Sequence, residues 1–225
     1  MKKNIRALIF DFGNVITLPP AEAAVERLRA LAGGGTALDG PAGTGGGAAA
    51  LPSREAFSAA YSAFRLDYDR GSFSAPEYWR RVGERLGLGF GADLVEKLRA
   101  ADVDCWFHFN EDLLSLISAL KSELARVALL SNINDDGIAA LHERATWLDL
   151  FDVHILSAEH HLVKPDRAIY ELCVRSLKLP AGDCLFVDDL AVNVEGARAA
   201  GLNALEFAGL DKFKSELEAG YRLVR

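Results

Sequence analysis

The stretch IRALIFDFGNV (5–15) carries an almost unbroken apolar run into Asp11 and then into a Gly13–Asn14 pair. Apolar character sustained over four to six residues is what a strand buried on both faces demands, and such strands belong to parallel sheets covered by helices. In open α/β sheets, ligands bind beyond the carboxyl ends of the strands. The position of Asp11, where this strand should finish, therefore matters as much as the run before it.

Working outward, four more runs read as buried strands: ARVALL (125–130), DVHIL (152–156), CLFV (184–187) and NALEF (203–207). Helical patterns separate them. NEDLLSLISALKSE (110–123) places Leu113, Leu114, Leu116, Ile117 and Leu120 on one face behind an Asn110 N-cap; AIYELCVRSLK (168–178) and NVEGARAAG (193–201) take the same role further on. Strands alternating with helices imply right-handed βαβ units and an α/β, doubly wound, Rossmann-like parallel-sheet core.

The interval between the first two strands is too long for one crossover. Residues 20–108 show helical patterns at 21–31, 53–70, 74–87 and 92–102 and no convincing strand. Ser74 and Glu77 stand at capping-box spacing, with Pro76 in the first turn. The expectation is a core formed by 1–19 and 109–225, interrupted by a helical insertion over 20–108. Within it, GGGTALDGPAGTGGGAAA (33–50) holds eight glycines. It reads as a mobile loop rather than a phosphate cradle, since no strand precedes it and no lysine comes after it in Walker spacing.

Bulk properties narrow the function classes. Among 225 residues, half are apolar and a quarter charged, as in a globular chain with a large core. A net charge of −7 argues against nucleic acid as a partner. No apolar run approaches the roughly 20 residues that span a bilayer, so no membrane partner is expected. Lys2 and Lys3 ahead of ALIF imitate a signal peptide, but Asp11 cuts the apolar run short. Cys105, Cys173 and Cys184 show no CxxC spacing; the last two sit among apolar neighbours and read as reduced, buried thiols. A cytoplasmic location is the expectation, and oligomeric state is not legible.

The residues just past each strand are more specific. Asp11 ends the first, Ser131 and Asn132 the second; a loop from the third leads to Lys164 and Pro165; Asp188 and Asp189 end the fourth. One polar residue at a strand end is usually a turn or cap residue. Here a carboxylate, a hydroxyl with an amide, an amine and a carboxylate pair, from four successive strand ends, converge on one rim. Those types suit phosphoryl transfer. Asp11 can attack phosphorus and split one hard hydrolysis into two easier steps. Asp11 and Asp189 would hold Mg2+, while Lys164 and Ser131 would meet the phosphoryl oxygens.

FDFGNV (10–15), LLSN (129–132), KPDRAIY (164–170) and FVDDLAVNVEGARAAG (186–201) resemble, in that order and spacing, the four motifs of the haloacid dehalogenase superfamily. The helical insertion is similar to that superfamily's α-helical cap, so the likeness covers the whole chain. The DxGNV variant looks most like the group acting on α-glucose-1-phosphate and, more distantly, like the phosphatase domain of soluble epoxide hydrolase. The resemblance implies Asp11 as nucleophile and metal ligand, the Gly13 carbonyl as a second ligand and Asp189 as a third. It implies that Asp188 orients Lys164 or assists the metal, that Ser131, Asn132 and Lys164 grip the phosphoryl group, and that Asn193 supports the fourth motif. The implied substrate is a small phosphorylated metabolite, with a sugar phosphate in view.

One departure stands out. Most phosphatases of the superfamily carry a second carboxylate two residues after the nucleophile, to protonate the leaving oxygen and then activate water; here Gly13 occupies that place. General acid–base help is typically worth about 10²- to 10⁴-fold, so good leaving groups should suffer least. His160, His161 or a carboxylate on the cap are replacement candidates, though the histidines read more simply as loop residues. Gly13 leaves two alternatives open. One is a metal-independent haloacid dehalogenase, whose branch also lacks that carboxylate; three carboxylates crowded together without a cation argue against it. The other is a non-catalytic protein that binds a phosphorylated ligand.

Blander readings cover the remaining features. Trp79, Trp106 and Trp147 read as packing for cores and the cap hinge. Tyr61, Phe64 and Tyr68 read as one buried helix face, and ERLR (26–29) as a solvated one.

Overall fold

A computed structural model describes residues 2–38 and 50–225. In chain order the strands and α-helices are β1 (Lys3–Ile5), β2 (Ala7–Phe10), α1 (Glu22–Ala32), β3 (Thr36–Ala37), α2 (Arg54–Ala63), α3 (Arg65–Asp69), α4 (Ala75–Arg85) and β4 (Leu88–Gly89). Then come α5 (Ala92–Trp106), α6 (Glu111–Leu120), β5 (Arg126–Ser131), α7 (Asp135–Arg144), β6 (Val153–Leu156) and α8 (Ser157–His160). The chain closes with α9 (Arg167–Leu177), β7 (Cys184–Asp188), α10 (Ala191–Ala199), β8 (Asn203–Glu206), α11 (Leu210–Gly220) and β9 (Tyr221–Leu223).

Five parallel strands form the central sheet in the order β6-β5-β2-β7-β8. Side-chain alternation explains why these strands read as continuous apolar runs. Leu8 and Phe10 of β2 join Leu185 and Val187 of β7 in a core with α6 and α11, while Ala7 and Ile9 join Cys184 and Phe186 in a core with α9 and α10. Both faces are covered, so the strand interiors are apolar and polar residues such as Ser131 and Asp188 come at the strand ends. From β2 the chain goes to β5 and β6 on one side of it, then crosses back to β7 and β8 on the other. The crevice of such a switch point opens at the carboxyl end of β2, where Asp11 stands.

The run 5–10 is two strands rather than one. Ile5 ends β1, which pairs with β9, and Ala7 begins β2. At the step between them the Arg6 amide donates to the Asp183 carbonyl and its own carbonyl accepts from Ala125, so the backbone changes partners there.

Helices α1 to α5 bury a separate core containing Leu28, Phe57, Tyr78, Trp79, Val82 and Leu98, with Tyr68 stacked on Tyr78 at 4.4 Å between ring centroids. Two corrections to the sequence reading arise here. The insertion does contain strand, since β3 and β4 pair antiparallel. The glycine-rich stretch starts just ahead of β3 and runs through it; its mobile-loop reading falls largely on residues 39–49, outside the described residues.

The second correction concerns the helix expected over 53–70, which breaks at Phe64 (φ −121°, ψ 4°) into α2 and α3. Neither glycine nor proline causes the break. Tyr78 donates its hydroxyl to the Tyr61 carbonyl at 2.8 Å, the acceptor that a continuing helix would use for the Arg65 amide. The kink presents Tyr61, Ser62, Arg65, Leu66 and Asp69 to the rim of the sheet.

Candidate active site

Past β2 the chain makes a tight turn over Phe12–Ile16, closed by Thr17 N donating to the Phe12 carbonyl. Asn14 sits there in the left-handed region (φ 56°), a conformation that asparagine tolerates better than most residues. Its side chain reaches across the rim and donates to Asp189 Oδ2 at 2.8 Å. Asp11 is turned inward: Oδ1 accepts from Phe12 N at 2.7 Å and lies 2.6 Å from Lys164 Nζ.

Lys164 is buried and lies between two carboxylates, with Asp188 Oδ2 at 2.7 Å on its other side and the Phe186 ring beneath, 5.4 Å from centroid to Nζ. Asp188 is held in turn by Leu190 N at 2.8 Å and by the Asn193 amide at 3.0 and 3.1 Å. Asn132 fixes the Lys164 main chain by donating to its carbonyl at 2.9 Å and accepting from its amide at 2.8 Å. One lysine is therefore positioned by residues from several loops at once.

Asp11, Asp188 and Asp189 bring carboxylate oxygens within 4.8 Å of one another, against the single ammonium of Lys164. Burial raises Asp11 well above the ordinary carboxylate range; Lys164 opposes that, while Asp188 and Asp189 add to it. Burial alone would lower Lys164, but Asp11 and Asp188 outweigh it and raise the amine. Burial also raises Asp189, opposed by the bond from Asn14 and reinforced by the charge of Asp188. The donors fit a hard divalent cation. Asp188 is engaged with protein groups, while Asp11 Oδ2 and Asp189 Oδ1 lie outside the bonds described above.

A cavity of about 350 Å³ opens over this cluster. Asp11, Gly13, Asn132, Lys164, Asp189 and Asn193 line it. Ser131 and Asp188 lie behind, 1% and 0% exposed. Asn132, given a grip on the phosphoryl group by the resemblance, uses its amide to bond the Lys164 main chain, while Asn193 bonds Asp188 within the fourth motif.

The roof comes from the helical insertion, and sequence reasoning missed it. Arg65 bonds both carboxylate oxygens of Asp69 at 3.1 Å, Asp102 at 2.8 Å and the Tyr61 hydroxyl at 2.5 Å; Tyr61 donates to Asp102 at 2.5 Å. Asn134, just past β5, donates to Asp69 at 3.0 Å. Burial raises the Tyr61 hydroxyl well above its ordinary value, so it keeps its proton at neutral pH. Trp106 faces Gly13: a Cβ built there would lie 3.7 Å from the indole. Gly13 has an ordinary φ of −64°, and a Cβ there would make ordinary van der Waals contact with that ring. Trp106 and Tyr61, read as core packing, are wall residues of the cavity. Trp79 and Trp147 do pack cores. ERLR is not simply solvated, since Leu28 is buried and Arg29 bonds Glu26 and the Pro52 carbonyl.

His160 and His161 do not line the cavity; His161 bonds the Arg70 carbonyl instead. The three cysteines are free and buried. No described helix is long and apolar enough to cross a membrane.

The chain is similar to several known proteins. A family model described as haloacid dehalogenase-like hydrolase matches residues 5–201. A sesquiterpene phosphatase of Aspergillus oryzae is 28% identical over 138 residues, which cover 61% of this chain and 69% of that protein. An (S)-2-haloacid dehalogenase of Pseudomonas sp. (strain YL) is 32% identical over 114 residues, 49% of each chain. An enzyme of the same family from Bacteroides thetaiotaomicron, solved with magnesium and inorganic phosphate, superposes with a TM-score of 0.70 over 92% of this chain and 96% of its own, at 19% identity.

Proposed function

Because the chain belongs to the haloacid dehalogenase-like hydrolase family, we propose that it is a Mg2+-dependent phosphatase of a small phosphorylated metabolite. The observation that carries this reading is the imbalance at the rim, three carboxylates around one ammonium. A phosphoryl group at Asp11 adds further negative charge, and a divalent cation offsets both. Asp11, Asp189 and the Gly13 carbonyl are the groups to hold Mg2+, which when bound would neutralise phosphoryl oxygens and fix their orientation. The sesquiterpene phosphatase and the magnesium–phosphate complex among its relatives support the same reading.

The residues divide the work. Lys164, its Nζ held by Asp188 and its main chain by Asn132, neutralises charge on the transferring group. Asp11 Oδ2 attacks phosphorus as the substrate's ester oxygen departs, leaving an aspartyl-phosphate that water then hydrolyses. Gly13 supplies no proton for the departing oxygen, and Asp69, Asp102 and Tyr61 above it are engaged with Arg65. Substrates whose leaving oxygen needs little protonation should turn over fastest. An anomeric phosphate is one such group, in keeping with the likeness to enzymes of α-glucose-1-phosphate.

The test is phosphate release from p-nitrophenyl phosphate and a panel of sugar phosphates, with Mg2+ or with EDTA, beside Asp11→Asn. The expected outcome is release that EDTA suppresses and the variant loses by about 10⁴-fold or more. Gly13 also suits the dehalogenase reading, as does the relative of that activity. Chloride release from 2-chloropropionate, unaffected by EDTA and without phosphatase activity, would establish that reading instead.

A further inference from the structure

A second cavity, of about 410 Å³, lies in the helical block between α1 and α2. Val25, Leu28, Phe57 and Cys105 give it an apolar lining. It shares Tyr61, Ser62 and Trp106 with the cavity over Asp11, so those three side chains form the partition between the two spaces. The Trp106 indole therefore stands between the nucleophile's cavity and an apolar groove beside it.

Most charged groups around the partition are already paired. Beyond the phosphoryl end, Arg65, Asp69, Asp102 and Tyr61 bond one another, and Asn134 bonds Asp69 and the Gly137 amide. At the far end of the groove Glu26 pairs with both Arg29 (2.6 Å) and Arg54 (2.8 Å). A polyhydroxylated ligand would have to break these bonds or bury its own hydroxyls unpaired, and either is costly. A hydrocarbon chain asks for neither, and gains from leaving water.

We propose that the α1–α2 groove is the tail subsite of this enzyme, and that among monophosphates with leaving oxygens of similar acidity it prefers those carrying an extended apolar group. The phosphoryl group lies at Asp11 and Lys164, and a turn of the Trp106 side chain out of the partition lets the chain reach Phe57 and Leu28. This rests on Asp11 being where the phosphoryl group is held.

Binding of n-alkyl phosphonates from methyl to decyl, measured by calorimetry with Mg2+ present, tests the subsite without requiring turnover. Affinity should rise by about fourfold per methylene until the groove is filled. Ser58→Trp and Val25→Trp, at positions that line the groove on exposed helix faces, should each flatten that rise. An affinity independent of chain length, a rise undiminished in both variants, or no phosphonate binding at all would overturn the proposal. Failure to hydrolyse p-nitrophenyl phosphate, with length-dependent binding intact, would sink the phosphatase reading and leave the subsite standing.

Discussion

Two buried ionic clusters face each other across the cavity, and they are built to opposite ends. In the roof, the Arg65 guanidinium meets Asp69 and Asp102, and the Tyr61 hydroxyl and the Asn134 amide complete the set. At the rim, Lys164 meets Asp11 and Asp188, with Asp189 close by and held by the neutral Asn14 amide. The roof cluster is closed on itself through planar, multidentate hydrogen bonds, as guanidinium groups favour. The rim cluster carries one more carboxylate and a donor of compact charge. A saturated cluster fixes architecture; an unsaturated one invites a cation and an anionic substrate.

The sharpest way to break this contrast is to remove each cation. Lys164→Met should cost about 3–5 kcal/mol of stability by leaving buried carboxylates unpaired. It should also lower phosphatase turnover by about 10²-fold or more, as loss of an electrostatic stabiliser does. Urea melts should show part of the lost stability restored by Mg2+. Arg65→Met should cost about 3 kcal/mol for the same reason, yet Mg2+ should restore none of it. Equal rescue of the two variants would mean that the clusters do not differ as described.

Gly13 offers a second handle, on the rim side alone. Gly13→Asp adds a carboxylate whose Cβ already touches the Trp106 ring. Combined with Trp106→Ala it should speed hydrolysis of poor leaving groups by about 10- to 10²-fold, while p-nitrophenyl phosphate gains little. Equal gains for both kinds of substrate would show that protonation of the leaving oxygen is not what Gly13 lacks. The smallest expected effect belongs to the seam between roof and core. There Tyr68 donates to Asp136 Oδ2 at 2.6 Å, and Arg99 donates to Asp136 Oδ1 at 2.6 Å. Tyr68→Phe should lower stability by about 1 kcal/mol, measured in the same melts.

The same contrast explains what the sequence could disclose. The rim was legible because its residues stand just past apolar strands, and a parallel sheet brings successive strand ends to one edge. Asp11, Lys164, Asp188 and Asp189 needed no knowledge of packing to be grouped. Asn14 could have been found, since a Gly–Asn pair soon after a strand signals a turn that re-aims its side chain. The roof was not legible in the same way. Tyr61 and Tyr68 sit at a spacing that normally means a buried face, and Tyr68 does pack in the core of the insertion. What turns Tyr61 and Arg65 toward the cavity is the hydroxyl of Tyr78, a residue from the next long helix that interrupts α2. Trp106 likewise ends α5, and only the tertiary arrangement sets its ring against Gly13. Local pattern carries strand ends; it does not carry a kink made by a distant side chain.

The central claim, that the rim is left short of positive charge for a divalent cation, is tested most directly by calorimetric titration of Mg2+ into the wild-type chain and Asp189→Asn. Saturable binding by the wild type, weakened at least about tenfold in the variant, is the predicted result. No binding by the wild type in the presence or absence of phosphate, or equal binding by both proteins, would contradict it.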